Sequence, residues 1–384
     1  KMLYLDFAAT SPLDEEAAET YIQIATKYYG NSSSLHDIGS TAERLLEACR
    51  EKFSELTGFS KNGIYFTSGG SESNYLAVQA LLSAAEKKGK HVITGWAEHS
   101  SVRGVFEKIK ERGYEVTYLP LNEKGLIDLV QLEKAIRDDT VLVSIQYINP
   151  EIGTIQPIRE IGKICRKHGV LFHSDGVQAF GKIDFKESVE YLDGFSLSGH
   201  KFYGPKGIGA VYIHPRLNWK PYYPGATHEK GLRPGTVNVP AIAAMTVAAE
   251  KAYRNMEKNL SHFRHLRQCF LETIKPYRKY VTVYEGPETS QLPSIIGMGI
   301  RGVEGQWVML ECNRNGFAIS TGSACHTGKQ APSNTMTAMG IPEKTAKEFI
   351  RISFGKDTKE EDIRKFGQLI NEIIAKEAVR GDKS

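Results

Sequence analysis

The sequence predicts an α/β chain built on a mostly parallel sheet, with a smaller α+β region following it. Two observations carry this. From residue 60 to 215, short β-branched runs alternate with longer helical patterns, and after about residue 240 that rhythm gives way to long helices and shorter strands. Strands regularly separated by helices are βαβ units, which place helices on both faces of a parallel sheet.

The elements follow in order. Ile64–Thr67 reads as a strand and Ser71 to about Ala85 as a helix. His91–Thr94 is a strand, about Ser100 to Glu111 a helix, and Glu115–Leu119 a strand. Val141–Ile145, the helix Arg159–His168, Val170–His173 and Phe195–Ser198 continue the alternation. A single long helix is expected over Val239–Lys275, forming the hinge to the second region. There Ser294–Ile300 and Phe317–Ser320 read as strands, Lys344–Ile350 and Glu360–Glu377 as helices, and Arg380–Ser384 as a frayed tail.

Composition narrows the functional class. The 384 residues are 41% hydrophobic and 24% charged, values that argue against a disordered or fibrous chain. No apolar run reaches membrane-spanning length. Lys1-Met2-Leu3-Tyr4-Leu5-Asp6 meets an acidic residue before a signal-peptide core can form, and cysteines without a disulfide pattern lead to the expectation of a reducing, cytoplasmic location. A net charge of +4 without a basic block makes nucleic acid a poor partner. Five scattered cysteines (49, 165, 269, 312 and 325) fit neither a disulfide framework nor a cysteine zinc site. No metal is expected.

Three constellations could carry chemistry. In Thr67-Ser68-Gly69-Gly70-Ser71-Glu72-Ser73-Asn74 a glycine pair opens a helix, whose N-terminus offers N–H groups to a phosphate. In His173-Ser174-Asp175-Gly176-Val177-Gln178 an acid stands at the end of an apolar strand, the sheet edge where ligands bind. In Ser198-Gly199-His200-Lys201-Phe202-Tyr203-Gly204 a lysine follows another strand inside a glycine-rich loop. A phosphate cradle, a sheet-edge carboxylate and a strand-end amine are together what pyridoxal 5′-phosphate requires.

On these motifs, and from Tyr4-Leu5-Asp6-Phe7-Ala8-Ala9-Thr10 to the C-terminal region, the chain resembles a cysteine desulfurase of the NifS/IscS type, within the fold-type-I, class-V aminotransferase family. The resemblance implies a large cofactor domain with a mostly parallel seven-stranded sheet over residues 12–255, and a small domain from residues 1–11 and 256–384. It implies Lys201 as the Schiff-base lysine, Asp175 as the pyridinium partner and Gln178 as the ligand of the ring hydroxyl. His99 would stack on the ring and move protons, and Gly70, Ser71, Ser198 and His200 would hold the phosphate. Thr236 resembles the residue that reaches the phosphate from the partner subunit, which implies a homodimer. Arg351, in an apolar strand-like run, would fork onto the substrate carboxylate, with a buried ion pair as the structural alternative. Asn31 and His36 are similar to a substrate-pocket segment.

One departure stands out. The family usually carries Asn-Asn-Glu-Ile/Val-Gly where this chain reads Asn149-Pro150-Glu151-Ile152-Gly153. Pro150 offers neither amide nor N–H, so Gln178 alone, or Asn149 turned inward, would serve the ring.

Residues 320–333 contain no large apolar side chain, and Cys325 sits among them with His326 and Lys329 to favour a thiolate. The segment resembles the active-site loop of the long-loop desulfurase subgroup. The implied reaction converts L-cysteine to L-alanine, leaves the sulfur as a persulfide on Cys325, and passes it to an acceptor protein. That acceptor would be an iron–sulfur scaffold, a tRNA-thiolation protein or a dedicated client enzyme. A selenocysteine lyase or a class-V aminotransferase would need the same cofactor residues, and an aminotransferase would need no thiol. A non-catalytic protein that kept the fold is favoured by Pro150 alone.

Overall fold

The computed structural model describes residues 1–322 and 332–383. Its strands are β1 (Leu3–Tyr4), β2 (Ile64–Thr67), β3 (His91–Gly95), β4 (Glu115–Leu119), β5 (Thr140–Ser144), β6 (Leu171–Asp175), β7 (Gly194–Ser198), β8 (Gly209–Ile213), β9 (Val281–Tyr284), β10 (Ile295–Ile300), β11 (Phe317–Ala318) and β12 (Phe349–Ser353). The first eight helices are α1 (Glu15–Lys27), α2 (Asp37–Thr57), α3 (Gly70–Ala84), α4 (Ser100–Ile109), α5 (Leu129–Ala135), α6 (Ile158–Lys167), α7 (Val239–Arg254) and α8 (Met256–Ile274). They are followed by α9 (Gly305–Arg314), α10 (Asn334–Ala338), α11 (Glu343–Ala346), α12 (Glu360–Ile373) and α13 (Val379–Lys383).

Seven strands form one sheet in the order β2-β8-β7-β6-β5-β3-β4. Only β8 runs against its neighbours; every other adjacent pair is parallel. Its inner strands are buried along their whole length, as Thr140-Val141-Leu142-Val143-Ser144 shows, because helices cover both faces. On one face Phe53 of α2 stacks on Phe180, with ring centroids 5.5 Å apart. On the other, α3 lays Leu76, Ala77, Ala80 and Leu81 against the sheet at helical spacing.

A second sheet, β12-β10-β9, is antiparallel and backed by α8 and α12, where Phe270 meets Phe366 at 5.7 Å. The N-terminal β1 pairs with β11, so the chain start belongs to this second body, and Leu5 joins its core. We propose the break between α7 and α8 as the boundary between a large and a small domain. The single helix expected over 239–275 is divided at Asn255, whose side chain donates to the Lys251 carbonyl and competes with the helix backbone.

Two other expectations are corrected. The helix expected over 344–350 stops at Ala346, and Phe349–Ser353 is a strand because it pairs in register with Ile295–Gly299. Residues 379–383 are helical rather than frayed, continuing α12 through a wider turn at Ile374–Ala378. Among the described residues no helix is long and apolar enough to cross a membrane.

One buried ion pair ties a connecting segment to this frame. Arg50 of α2 forks onto Glu229 at 2.7 and 3.0 Å, and also donates to the Ile64 carbonyl. Glu229 holds a left-handed backbone at φ 50° and accepts from the Phe66 N–H. Removing Glu229 leaves the buried Arg50 only the more exposed Glu47, 3.2 Å from its Nε, and takes an acceptor from the Phe66 N–H. Glu229→Ala is therefore expected to lower the unfolding free energy by about 3–5 kcal/mol in urea titration; a loss below about 1 kcal/mol, the range of a surface pair, would contradict the role given to it.

Candidate active site

The C-terminal ends of the parallel strands converge on one cavity of about 290 Å³. β2 ends before the Gly69–Gly70 turn, β3 leads to His99, β6 ends on Asp175, and β7 ends at Ser198 with Lys201 one short turn beyond. Gly70, Ser71, His99, Asp175, Gln178, Ser198, His200 and Lys201 all line this cavity. The structure thus brings together eight of the residues singled out from sequence.

Glycine matters at two places here. A Cβ on Gly70 would come within 2.9 Å of Val177 Cγ2 and 3.3 Å of Ser198 Cβ, closing the floor where α3 begins. A Cβ on Gly209 would come within 2.8 Å of Gly69 Cα, so β8 can lie against the turn only without a side chain. The result is a helix N-terminus open to an anion, flanked by Ser198 and His200. Burial and the neighbouring Lys201 and Lys206 push His200 down to about 4, so it presents a neutral ring, held by Thr10 at 2.9 Å.

The amine of Lys201 lies 2.5 Å from the Ala8 carbonyl and 3.0 Å from that of Ala9. Burial, with Arg351 nearby, lowers it to about 8, against the pull of Asp175 and Asp6. Asp175 is buried; its Oδ1 accepts from the Val177 N–H at 3.0 Å and its Oδ2 from Asn74 Nδ2 at 3.1 Å.

Asn74 connects this carboxylate to His99. Its Nδ2 also meets Ser101 Oγ at 3.0 Å, and Ser101 Oγ lies 2.7 Å from His99 Nδ1. An amide nitrogen only donates, so the Ser101 hydroxyl accepts from Asn74 and donates onward to Nδ1. The Ser101 N–H reaches the same Nδ1 at 3.1 Å. Nδ1 is therefore an acceptor, and the ring proton sits on Nε2. The sequence places Asn74 at the end of the glycine–serine motif without assigning it a role, and Ser101 reads as an ordinary position near the start of α4.

Behind His99 stands Glu98, raised to about 8 by burial and so a neutral acid at pH 7. Gln146, another lining residue missed from sequence, donates to the Ala97 carbonyl and to Glu98. Asn74 Oδ1 and Gln146 Oε1 are buried without a partner. A polar cavity with unpaired acceptors, a buried acid, a near-neutral amine and a helix N-terminus fits the pyridine ring, aldehyde and phosphate of pyridoxal 5′-phosphate.

Other expectations fare differently. Asn149 does not turn inward: its Nδ2 donates to Thr335 and its Oδ1 accepts from the Glu151 and Ile152 N–H groups, closing a turn. Pro150 takes the place at the cavity wall. Gln178 lines the cavity, but its amide bonds the Ala8 carbonyl and the Lys182 amine, both at 2.9 Å. Arg351 is buried and ion-paired with Asp6 at 2.8 Å, with a further bond to the Pro150 carbonyl, and its Nε has no partner. Asn31 and Thr236 are exposed and outside the cavity lining of this chain. His36 caps α2 by accepting from the Gly39 N–H, a structural task. Cys325, His326 and Lys329 lie outside the described residues.

The chain is similar to known proteins over nearly its whole length. The class-V aminotransferase family matches residues 3–366. The NifS protein of Bacillus subtilis (strain 168) is 48% identical over 363 residues, covering 94% of this chain and 92% of its own. The cysteine desulfurase IscS of Dictyoglomus turgidum is 38% identical over 375 residues, 97% of this chain and 95% of its own. A solved NifS-like protein superimposes with a TM-score of 0.89 at 32% identity, over 98% of this chain and all of that one. The chain belongs to the class-V aminotransferase family, among the pyridoxal-5′-phosphate-dependent cysteine desulfurases of the NifS and IscS kind.

Proposed function

We propose that this desulfurase holds its cofactor on Lys201 and passes the sulfur of L-cysteine to Cys325 as a persulfide, for delivery to an acceptor protein. The observation that carries the reading is the meeting of Lys201, Asp175 and His99 in one cavity whose floor is a helix N-terminus. Asp175 would pair with the protonated ring nitrogen, and the α3 N-terminus, Ser198 and His200 with the phosphate. When bound, the cofactor supplies an electron sink for the substrate α-carbon.

The side chains do the rest. Arg351, with its buried Nε unpartnered, would take the substrate carboxylate beside Asp6. Lys201, whose proton affinity burial lowers, would take the α-proton, and His99 presents an Nε2–H able to give one. The Cys325 thiolate would take the substrate sulfur. An S–S bond forms as the Cβ–S bond breaks, its electron pair stays on Cβ, and Cβ gains a proton to give L-alanine. Cys49, Cys165 and Cys312 are buried, and burial pushes all three thiols up, so none rivals Cys325 as a nucleophile. Thr236 completing the phosphate site of a second subunit would make the enzyme a homodimer, and a persulfide carrier that must return to a free thiol would work in a reducing cytoplasm.

Three outcomes are expected. With Cys325→Ser, alanine and sulfide formation from L-cysteine should fall by roughly 100-fold or more while substrate still perturbs the cofactor spectrum; unchanged turnover would refute the persulfide route and favour an aminotransferase-like reading. Ser101→Ala should lower kcat by roughly three- to tenfold, the worth of one hydrogen bond, and displace the acid limb of the pH profile, with Ser101→Thr restoring both; a profile identical to the parent's would remove Ser101 from the account. Capture of pyridoxal 5′-phosphate by the cofactor-stripped protein requires the unprotonated amine. Its rate should rise with pH up to about 8 and level off above, and a rise that continues to pH 10 would mean Lys201 is an ordinary lysine.

A further inference from the structure

Outside the cavity, α8 and α12 bring together three side chains of different donor chemistry. His265 and Cys269 stand one turn apart on α8, and Glu360 opens α12. Nε2 of His265 lies 3.1 Å from Glu360 Oε2 and 3.5 Å from Cys269 Sγ, and that sulfur lies 3.3 Å from Glu360 Oε1. The ligand atoms all fall within 4.8 Å of one another. A tetrahedral zinc ion, with sulfur at about 2.3 Å and nitrogen or oxygen at about 2.0–2.1 Å, sets donor–donor edges of roughly 3.3–3.6 Å. The triangle is already close to that size.

A cation bound here would compete with one already present. Arg364, one turn along α12, donates to Glu360 Oε1 at 2.8 Å and to Cys269 Sγ at 3.6 Å, so a positive group already sits against two of the three donors. Glu272 adds a further negative charge near Cys269 from α8. Cys269 is buried while His265 and Glu360 are partly open, which leaves the fourth direction facing water. A thiol, an imidazole and a carboxylate together favour zinc over magnesium or calcium, which take oxygen ligands.

We propose that His265, Cys269 and Glu360 form a binding site for a zinc-class divalent cation on the outer side of α8 and α12, with water as the fourth ligand. The site is separate from the desulfurase chemistry. Binding exchanges the Cys269 thiol proton for the metal, with His265 ligating through a ring nitrogen free of its proton and Glu360 through a carboxylate oxygen. The exposed Arg364 side chain gives up its contacts to the ion.

The test uses the full-length holoenzyme in a Cys325→Ser background, so that the proposed nucleophile contributes no ligand. Chelator-treated protein is titrated with zinc chloride by calorimetry and with cobalt chloride by absorbance. One ion should bind per chain, cobalt should show tetrahedral ligand-field bands with thiolate charge transfer, and uptake should strengthen as pH rises. Cys269→Ser should abolish the site, His265→Gln should weaken it at least tenfold, and Arg364→Gln should tighten it. His265 is half-exposed, so that variant tests the site even if Cys269→Ser folds poorly. No binding, or binding equal to the parent's in both Cys269→Ser and His265→Gln, would show a hydrogen-bonded cluster only and overturn the proposal.

Discussion

Two primary amines, Lys182 and Lys201, lie half-buried around the same short segment, and their partial removal from water is the constraint on which the site depends. Desolvation lowers Lys182 to about 7 and Lys201 to about 8. A buried ammonium is costly, and both amines are held by neutral acceptors rather than by a carboxylate. Lys201 donates to the carbonyls of Ala8 and Ala9, and Lys182 to the Gln178 amide, which itself donates to Ala8. The Ala8 carbonyl thus serves two cavity residues at once. Its segment is fixed from both sides, because the Ala8 N–H meets Ser353 of the small sheet and Ser11 meets the His200 carbonyl of the large one.

That arrangement explains how one cavity supports several protonation states at the same pH. Glu98 is a neutral acid and His200 a neutral base, while Lys201 is an ammonium that gives up its proton near pH 8, well below an ordinary lysine, each set by burial; the buried Asp175 is held by Asn74 and a backbone N–H. Groups whose environments push their proton affinities apart are what acid–base catalysis at neutral pH requires. The chain from Asp175 through Asn74 and Ser101 to His99 then links the carboxylate at one side of the cavity to the imidazole at the other, and decides which ring nitrogen carries the proton.

Much of this was legible before any coordinates. The parallel sheet follows from the alternation between residues 60 and 215, and Asp175 and Lys201 declare themselves by standing at strand ends beside glycines. What sequence missed is what long-range contact decides. Asn74 meets an acid 101 positions away, and Arg351 meets Asp6 across 345. Phe349–Ser353 carries enough helix-compatible residues upstream to extend α11, and only pairing with β10 makes it a strand. Pro150 stands at the cavity wall, and Asn149 does not turn toward the cavity in its stead, because its amide already satisfies the backbone of the Glu151–Ile152 turn.

The central claim is that geometry, and not proton affinity alone, selects the cofactor amine. Lys182 is the more neutral of the two amines, yet Lys201 alone lines the cavity with Asp175 and the α3 N-terminus. Borohydride reduction of the holoenzyme, followed by peptide mapping, fixes the cofactor permanently to whichever amine holds it. The account predicts the label on Lys201 and none on Lys182. A label on Lys182 would contradict it.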